Sequence, residues 1–166
     1  MSFQYKWENK EANFGPPLEE QASGGMHLTL EIILKKDGQY VALRRPSGIP
    51  GHELPENVTA NTRGLLYFCH NLIRYGESIE GCVKRIVQSQ AGVEVLGSRV
   101  VYIDSMVQGK DNSWAITPHV IAEISKTPET SLEITEVVTF DKNNIPQDFA
   151  WWNKQELREF LEEFDN

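Results

Sequence analysis

Apolar and polar positions in the first half of the chain predict a β-hairpin. Residues 27–34 are rich in β-branched and other strand-forming side chains and lead to Asp37-Gly38, a pair typical of tight turns. Residues 40–45 then read as the returning strand, which Pro46 ends. The next stretch, 46–63, has three prolines and no apolar period, so we expect a long loop, which in a compact domain is usually functional or mobile.

Two later segments have the spacing of amphipathic helices. The first begins at Ile79, with Ser78 as a predicted N-cap and Gly92 as the residue that ends it. Its apolar stripe consists of Ile79, Cys82, Val83, Ile86 and Val87. The second helix spans 153–164, and its apolar positions are Leu157, Phe160, Leu161 and Phe164.

Four further apolar runs complete the predicted elements. Strands are expected at 65–69, 98–105, 115–124 and 134–140. Strands, a central helix, more strands and a terminal helix predict an α+β domain, an α/β/α sandwich with a mixed sheet, over residues 26–166. Residues 1–25 are expected to form a separate arm, whose aromatic side chains are Phe3, Tyr5, Trp7 and Phe14.

Composition restricts the classes of partner. The 166 residues carry a net charge of −8, and residues 121–166 hold four basic and eleven acidic side chains. This acidity disfavours a general binder of nucleic-acid backbones and is typical of a solvated helix face. Cys69 and Cys82 match no disulfide or metal pattern and are expected to be buried thiols. No apolar run reaches the ~18 residues of a membrane helix, and the charged N-terminus is unlike a signal peptide, so we expect a cytoplasmic protein without membrane contact.

Residues 76–95 read GESIEGCVKRIVQSQAGVEV and resemble the box motif of the Nudix hydrolases. That motif is G-x5-E-x7-R-E-U-x-E-E-x-G-U, where U is apolar. Glu77, Arg85 and Gly92 match its structural positions, and Gly76-Glu77-Ser78 matches the Gly-Glu-Ser common in the family. The resemblance extends over about residues 26–165 with the surrounding strands and terminal helix. The resemblance implies a Nudix-like fold, in which Glu77 and Arg85 pair across the junction between loop and helix.

The box departs from the family at its metal-binding positions. Three carboxylates expected there are replaced by Ile86, Ser89 and Gln90. In the family these carboxylates hold divalent cations, which need oxygen ligands and polarise the phosphoryl group. We therefore expect no metal site and no cofactor, with Mg²⁺ or Mn²⁺ required only if the protein is active.

His70-Asn71 stands where the family usually has two glycines before the box. Glycine there permits unusual dihedral angles. Asn71 can adopt a left-handed conformation, whereas His70 is harder to fit into an unchanged turn.

Three functions are compatible with this sequence. The favoured hypothesis is a Nudix-like protein that binds a ligand or a protein partner without Mg²⁺-dependent hydrolysis of nucleoside diphosphate derivatives. The second is an active pyrophosphohydrolase, or a glycosyl hydrolase of a nucleotide sugar, with displaced metal ligands and with Glu77 and Glu80 as catalytic candidates. Further acids and bases for this alternative are Glu123, Glu133, Glu136, His52, Glu53, Glu56 and His119.

The third hypothesis is an RNA-binding module, which the overall acidity disfavours. Its basic residues would be Arg44, Arg45, Arg63, Arg74, Lys84 and Arg85, and Tyr67, Tyr102 and Trp114 would stack on bases.

A nucleotide-derived small molecule is the ligand class that the resemblance implies. We expect its binding pocket between the sheet and the box loop, with contacts from Arg44, Arg45, Arg74, Tyr102 and Trp114. A homodimer is also an expectation from the family. One ring of the pair Trp151-Trp152 is expected to be exposed, because adjacent residues seldom point the same way.

Overall fold

A computed structural model describes residues 22–46, 64–108 and 112–165. Most of the predicted N-terminal arm and of the predicted 46–63 loop, including the candidates His52, Glu53 and Glu56, lie outside the described residues.

The predicted hairpin is confirmed. Strands β1 (Met26–Lys36) and β2 (Gln39–Arg44) are antiparallel, with Lys36 opposite Gln39. Asp37 and Gly38, which connect them, have φ values of 50° and 82°. Two central residues with positive φ form the type of two-residue turn whose twist matches that of paired strands. The Asp-Gly pair therefore sets the register of the hairpin.

The mixed sheet is built around β1, which is parallel to β6 (Ser113–Ile124) on one edge. Strand β5 (Val95–Gln108) continues the sheet antiparallel to β6 and forms its outer edge. On the other side, β7 (Glu136–Phe140) pairs with β2. The strands predicted at 98–105, 115–124 and 134–140 are thus present, the first of them longer than expected.

The strand predicted at 65–69 is wrong in its bounds. It is divided into β3 (Leu66–Tyr67), which pairs with β2, and β4 (Cys69–Leu72), which pairs with β1. His70 and Asn71 are therefore strand residues rather than a turn, and the left-handed conformation considered for Asn71 does not occur. Backbone pairing with β1 replaces the glycine turn, which removes the steric difficulty expected for His70.

The two helices cover opposite faces of the sheet, as the predicted sandwich requires. Helix α1 (Ile79–Ala91) is capped by the Ser78 hydroxyl, which accepts a hydrogen bond from the Gly81 amide, and ends at Gly92 with φ 66°. Its apolar stripe packs on one sheet face, against a core that includes Leu30, Ile32 and Leu34. Since successive strand residues alternate between faces, the residues between them face the other helix.

Helix α2 (Lys154–Phe164) begins with a capping box, in which Asn153 and Glu156 each bond the other's backbone amide. Its buried residues Leu157, Phe160 and Leu161 pack on the face opposite α1.

Both cysteines are buried and free, as expected. Within the described ranges, no helix has the length and apolarity needed to cross a membrane.

Candidate functional site

The junction between the box loop and α1 is held by a two-point ion pair. Arg85 donates from Nε and from its terminal nitrogen to the two carboxylate oxygens of Glu77, at 2.8 and 2.7 Å. The Arg74 amide also donates to Glu77, at 3.0 Å. These bonds, those of Arg85 foremost, lower the pKa of Glu77 from 4.5 to about 2. The Glu77 carboxylate is therefore fully engaged in holding the loop.

Two positions that hold metal in the family have other roles here. Ile86 packs in the core, and Gln90 bonds to the backbone of β4. Ile86 is 1% exposed and belongs to the core beneath the sheet. Gln90 is buried, and its side-chain amide accepts from the His70 amide at 3.1 Å and donates to the His70 carbonyl at 2.8 Å. Gln90 thus extends the hydrogen bonding of β4 onto α1, a role that requires both a donor and an acceptor.

This donor set does not fit a divalent cation. Ile86 offers no oxygen, and the one amide oxygen of Gln90 is already accepting a hydrogen bond. Ser89 is exposed on α1. In the part of the chain that the structure describes, no group of three His, Cys, Asp or Glu side chains is arranged to hold a metal ion.

The other candidate carboxylates lie apart from one another. Glu80 is exposed and pairs with Lys84 at 2.6 Å, one turn along α1. Glu136 pairs with Arg44 at 2.6 Å, on β7 and β2. Glu123 is exposed on β6. Their role as displaced metal ligands stays a prediction.

A cleft of about 890 Å³ lies between α2 and the sheet face opposite the box helix. That volume is in the range of small-molecule sites, ~300–1,000 Å³. Its floor is formed by polar side chains from four neighbouring strands, and its walls come from α2 and the preceding Trp151-Trp152 pair. The cleft is therefore large enough to receive a small-molecule ligand.

One row of side chains crosses the floor of this cleft. Strand register places His70 of β4 opposite Glu31 of β1, Glu31 beside His119 of β6, and His119 opposite Tyr102 of β5. Cross-strand partners project from the same face of a sheet. Four residues that are far apart in sequence therefore form one continuous polar row.

Glu31 is at the centre of that row and is 5% exposed. Its Oε1 accepts a hydrogen bond from the Trp152 indole N–H at 3.0 Å. The Nδ1 atom of His119 lies 2.9 Å from its Oε2, but makes no aligned hydrogen bond. The carboxylate is thus fixed in place with one neutral donor and one close imidazole.

Aromatic rings surround the row. Trp151 stacks on His70 with ring centroids 5.4 Å apart, and Trp152 packs on Phe160 of α2 at 5.1 Å. Burial lowers the pKa of His70 below its usual value, so this imidazole is neutral at pH 7. Trp151 is 40% exposed, as expected for one ring of the pair, yet both tryptophans line the same cleft.

The structure does not gather the five predicted ligand contacts in one pocket. Tyr102 lines the cleft. Arg44 pairs with Glu136 and Asp148, and Arg45 is buried over the Tyr67 ring.

Arg74 is exposed in the box loop. The Trp114 indole donates to the Ser105 hydroxyl at 2.9 Å. Of the five residues, Tyr102 alone lines the cleft, and the joint role of all five in ligand binding stays a prediction.

Glu31 and Trp152 were not predicted as site residues, although the sequence held a signal for the first. His27, Thr29 and Glu31 alternate with apolar residues along β1. Period-two polar positions in an otherwise apolar strand indicate a polar strip on one face. The sequence could not show that α2 leaves this strip uncovered, because that depends on packing between distant elements.

Comparison with solved structures defines the fold. A MutT Nudix hydrolase from Burkholderia pseudomallei superposes with a TM-score of 0.57 at 15% identity, covering 83% of this chain and 97% of that one. The Escherichia coli ORF135 protein gives 0.57 at 14% identity over 90% and 93% of the two chains. A MutT protein from Methanosarcina mazei Go1 gives 0.54 at 15% identity over 85% and 94%.

The chain has the fold of the Nudix hydrolases. No family model matches the sequence, and no curated protein matches it. At this level of identity the likeness concerns the fold, so activity has to be argued from the site.

Proposed function

We propose that this Nudix-fold protein binds a small molecule in the cleft beneath α2 and does not catalyse Mg²⁺-dependent hydrolysis of nucleoside diphosphate derivatives. The observation that carries the proposal is the position of Gln90. Its amide is committed to both backbone groups of His70, at a helix position where the family has a metal-binding carboxylate. A carboxylate at that position could not donate to the His70 carbonyl, so the present contact and a metal ligand exclude each other.

The packing of Ile86 supports the same proposal. This side chain is buried among core residues, where a charge would have to be removed from water. The packing of α1 therefore disfavours a carboxylate at position 86. Glu77, the one box carboxylate that remains, is neutralised by Arg85 and serves the loop.

The cleft supports a binding function. It combines a large volume, aromatic walls and a few fixed polar groups, which is typical of small-molecule sites. A nucleotide-derived ligand is the class that the family resemblance predicts.

A hydrolysis screen tests the proposal. Purified protein is incubated with a panel of nucleoside diphosphate derivatives and nucleotide sugars, with Mg²⁺ and separately with Mn²⁺. We expect no turnover above that of the Glu77→Gln variant, which serves as the matched control for contaminating hydrolases. Metal-dependent turnover by the native chain that the Glu77→Gln substitution removes would overturn the proposal and favour the active-enzyme alternative.

No observation favours the RNA-binding alternative. Among its candidate residues, Arg44, Lys84 and Arg85 are already ion-paired, and Tyr67 is buried where it cannot stack on a base.

A further inference from the structure

Among the described residues, the carboxylates of the cleft have histidine beside them but neither lysine nor arginine. Glu31 and Asp104 lie on the floor, and Glu156, Glu159 and Glu163 extend along the α2 wall. Within the described ranges, no Lys or Arg lines the cleft or lies within 4.0 Å of these five carboxylates. The described lining of the cleft is therefore negative, and a phosphate group placed against it would meet like charge.

The rings beside these carboxylates suit a positive ligand. Trp151, Trp152 and Tyr102 line the same space as the acids. Aromatic faces attract cations through the ring quadrupole, and a nearby carboxylate adds direct charge neutralisation. Aromatic rings that surround a carboxylate are a common way to bind an organic ammonium group.

His70 provides a second, independent indication of a ligand. His70 lines the cleft, and its Nδ1 is buried without a hydrogen-bond partner in the described structure. His119 is 8% exposed, and its Nδ1 lies 2.9 Å from Glu31 Oε2. Buried polar atoms are almost always paired in native proteins, so the unpartnered Nδ1 of His70 is unusual. A ligand that carries an N–H group would provide a donor for this nitrogen.

We propose that the cleft binds a small organic cation, an amine or a cationic aromatic heterocycle, with its positive charge at Glu31 and its apolar part against the tryptophan rings. The inference rests on the proposed binding function and replaces the nucleotide-derived ligand class that the resemblance predicts with a cationic one. It requires a preference for positive over neutral and negative ligands of the same shape. Asp104 and the acidic face of α2 strengthen that preference at the mouth of the cleft.

Three probes of nearly the same shape test the charge preference. 1-Methylnicotinamide is a cation, nicotinamide is neutral and nicotinate is an anion, and the quenching of the cleft tryptophans reports their binding. Choline and its neutral isostere 3,3-dimethylbutan-1-ol form a second pair without an aromatic ring, followed by calorimetry. We expect each cation to bind about tenfold or more tightly than its neutral match, and nicotinate to bind weakest.

Substitutions of single carboxylates show which of them causes the preference for cations. Glu31→Gln keeps an oxygen that can accept from Trp152, and should reduce the preference for the cation to about threefold or less. Glu163→Gln, at the exposed rim, should reduce it by a smaller factor without disturbing the core. Glu162→Gln is the matched control, because Glu162 is exposed on α2 and does not line the cleft.

The outcomes separate this inference from the proposed function. Equal or tighter binding of the neutral or anionic probes overturns the cation inference and leaves a non-hydrolytic binding protein. Failure of both cations to bind also overturns it. Metal-dependent hydrolysis in the screen described above would overturn the proposed function, whatever the charge preference of the cleft.

Discussion

At the residue scale, Gln90 is the side chain that best explains why the box has no metal-binding carboxylate at this position. Its amide satisfies both backbone groups of His70. We predict that Gln90→Glu lowers the free energy of unfolding by about 1–3 kcal/mol at neutral pH, because the carboxylate would face the His70 carbonyl without a proton to donate. Urea denaturation measures the change. The loss should shrink in acid, where the carboxyl group is protonated and can donate again.

Gln88→Glu is the control for that substitution, since Gln88 is exposed on the same helix. Equal stability of the two variants would contradict the structural role assigned to Gln90.

The Glu77–Arg85 pair predicts a pH dependence. The folded-state pKa of Glu77 is about 2 against an ordinary value of 4.5, so ionised Glu77 stabilises the fold above about pH 4.5. This contribution decreases as the pH falls from 4.5 towards 2. NMR titration of the Glu77 carboxyl carbon should show no midpoint above about pH 3. A midpoint near 4.5 would show that the pair does not form in solution.

At the element scale, the face of α1 that carries the metal-binding positions of the Nudix box is divided between core and solvent. We predict that Ile86→Glu lowers the free energy of unfolding by about 3 kcal/mol or more, since it places a charge in the core. Ser89→Glu, three residues along the same helix, should change it by about 0.5 kcal/mol or less. Thermal denaturation of the two variants measures the contrast. Similar stabilities would mean that this face is open to water and could accept the family's acids.

The sequence was sufficient for the helices and the hairpin, where local rules apply. The spacing of Cys82, Val83 and Ile86 and the Ser78 cap predict α1, and Asp37-Gly38 predicts the turn. Local sequence rules did not predict β4, because His70 becomes a strand residue only through pairing with β1, nearly forty residues earlier in the chain.

At the scale of the whole molecule, the cleft depends on how α2 is fixed to the sheet. Asp165, just after α2, accepts from Lys35 and from the Tyr40 hydroxyl, both at 2.7 Å, and also pairs with Arg99. Three strands are thus tied to the end of one helix. The candidate site could not be predicted from sequence for the same reason, since its floor joins four strands and its wall comes from the far end of the chain.

We predict that Asp165→Asn lowers the free energy of unfolding by about 1–3 kcal/mol, because the neutral amide no longer balances Lys35 and Arg99. It should also weaken ligand binding in the cleft. Chemical denaturation and the tryptophan-quenching assay measure the two effects. Asp141→Asn, at an exposed turn residue with no described ion pair, is the control. An unchanged stability would show that α2 is held by its apolar face alone.

Homodimer formation and a cytoplasmic location stay predictions. Light scattering on the purified chain measures its mass in solution and so tests for the homodimer.

We propose that α1 of this Nudix fold has a packing role and holds no divalent cation. Paramagnetic broadening by Mn²⁺ in amide NMR spectra tests it most directly. We predict that residues 76–91 keep their signals at Mn²⁺ concentrations that leave the β1–β2 turn unaffected. Selective loss of the signals from Glu77 to Gln90 at those concentrations would contradict the claim.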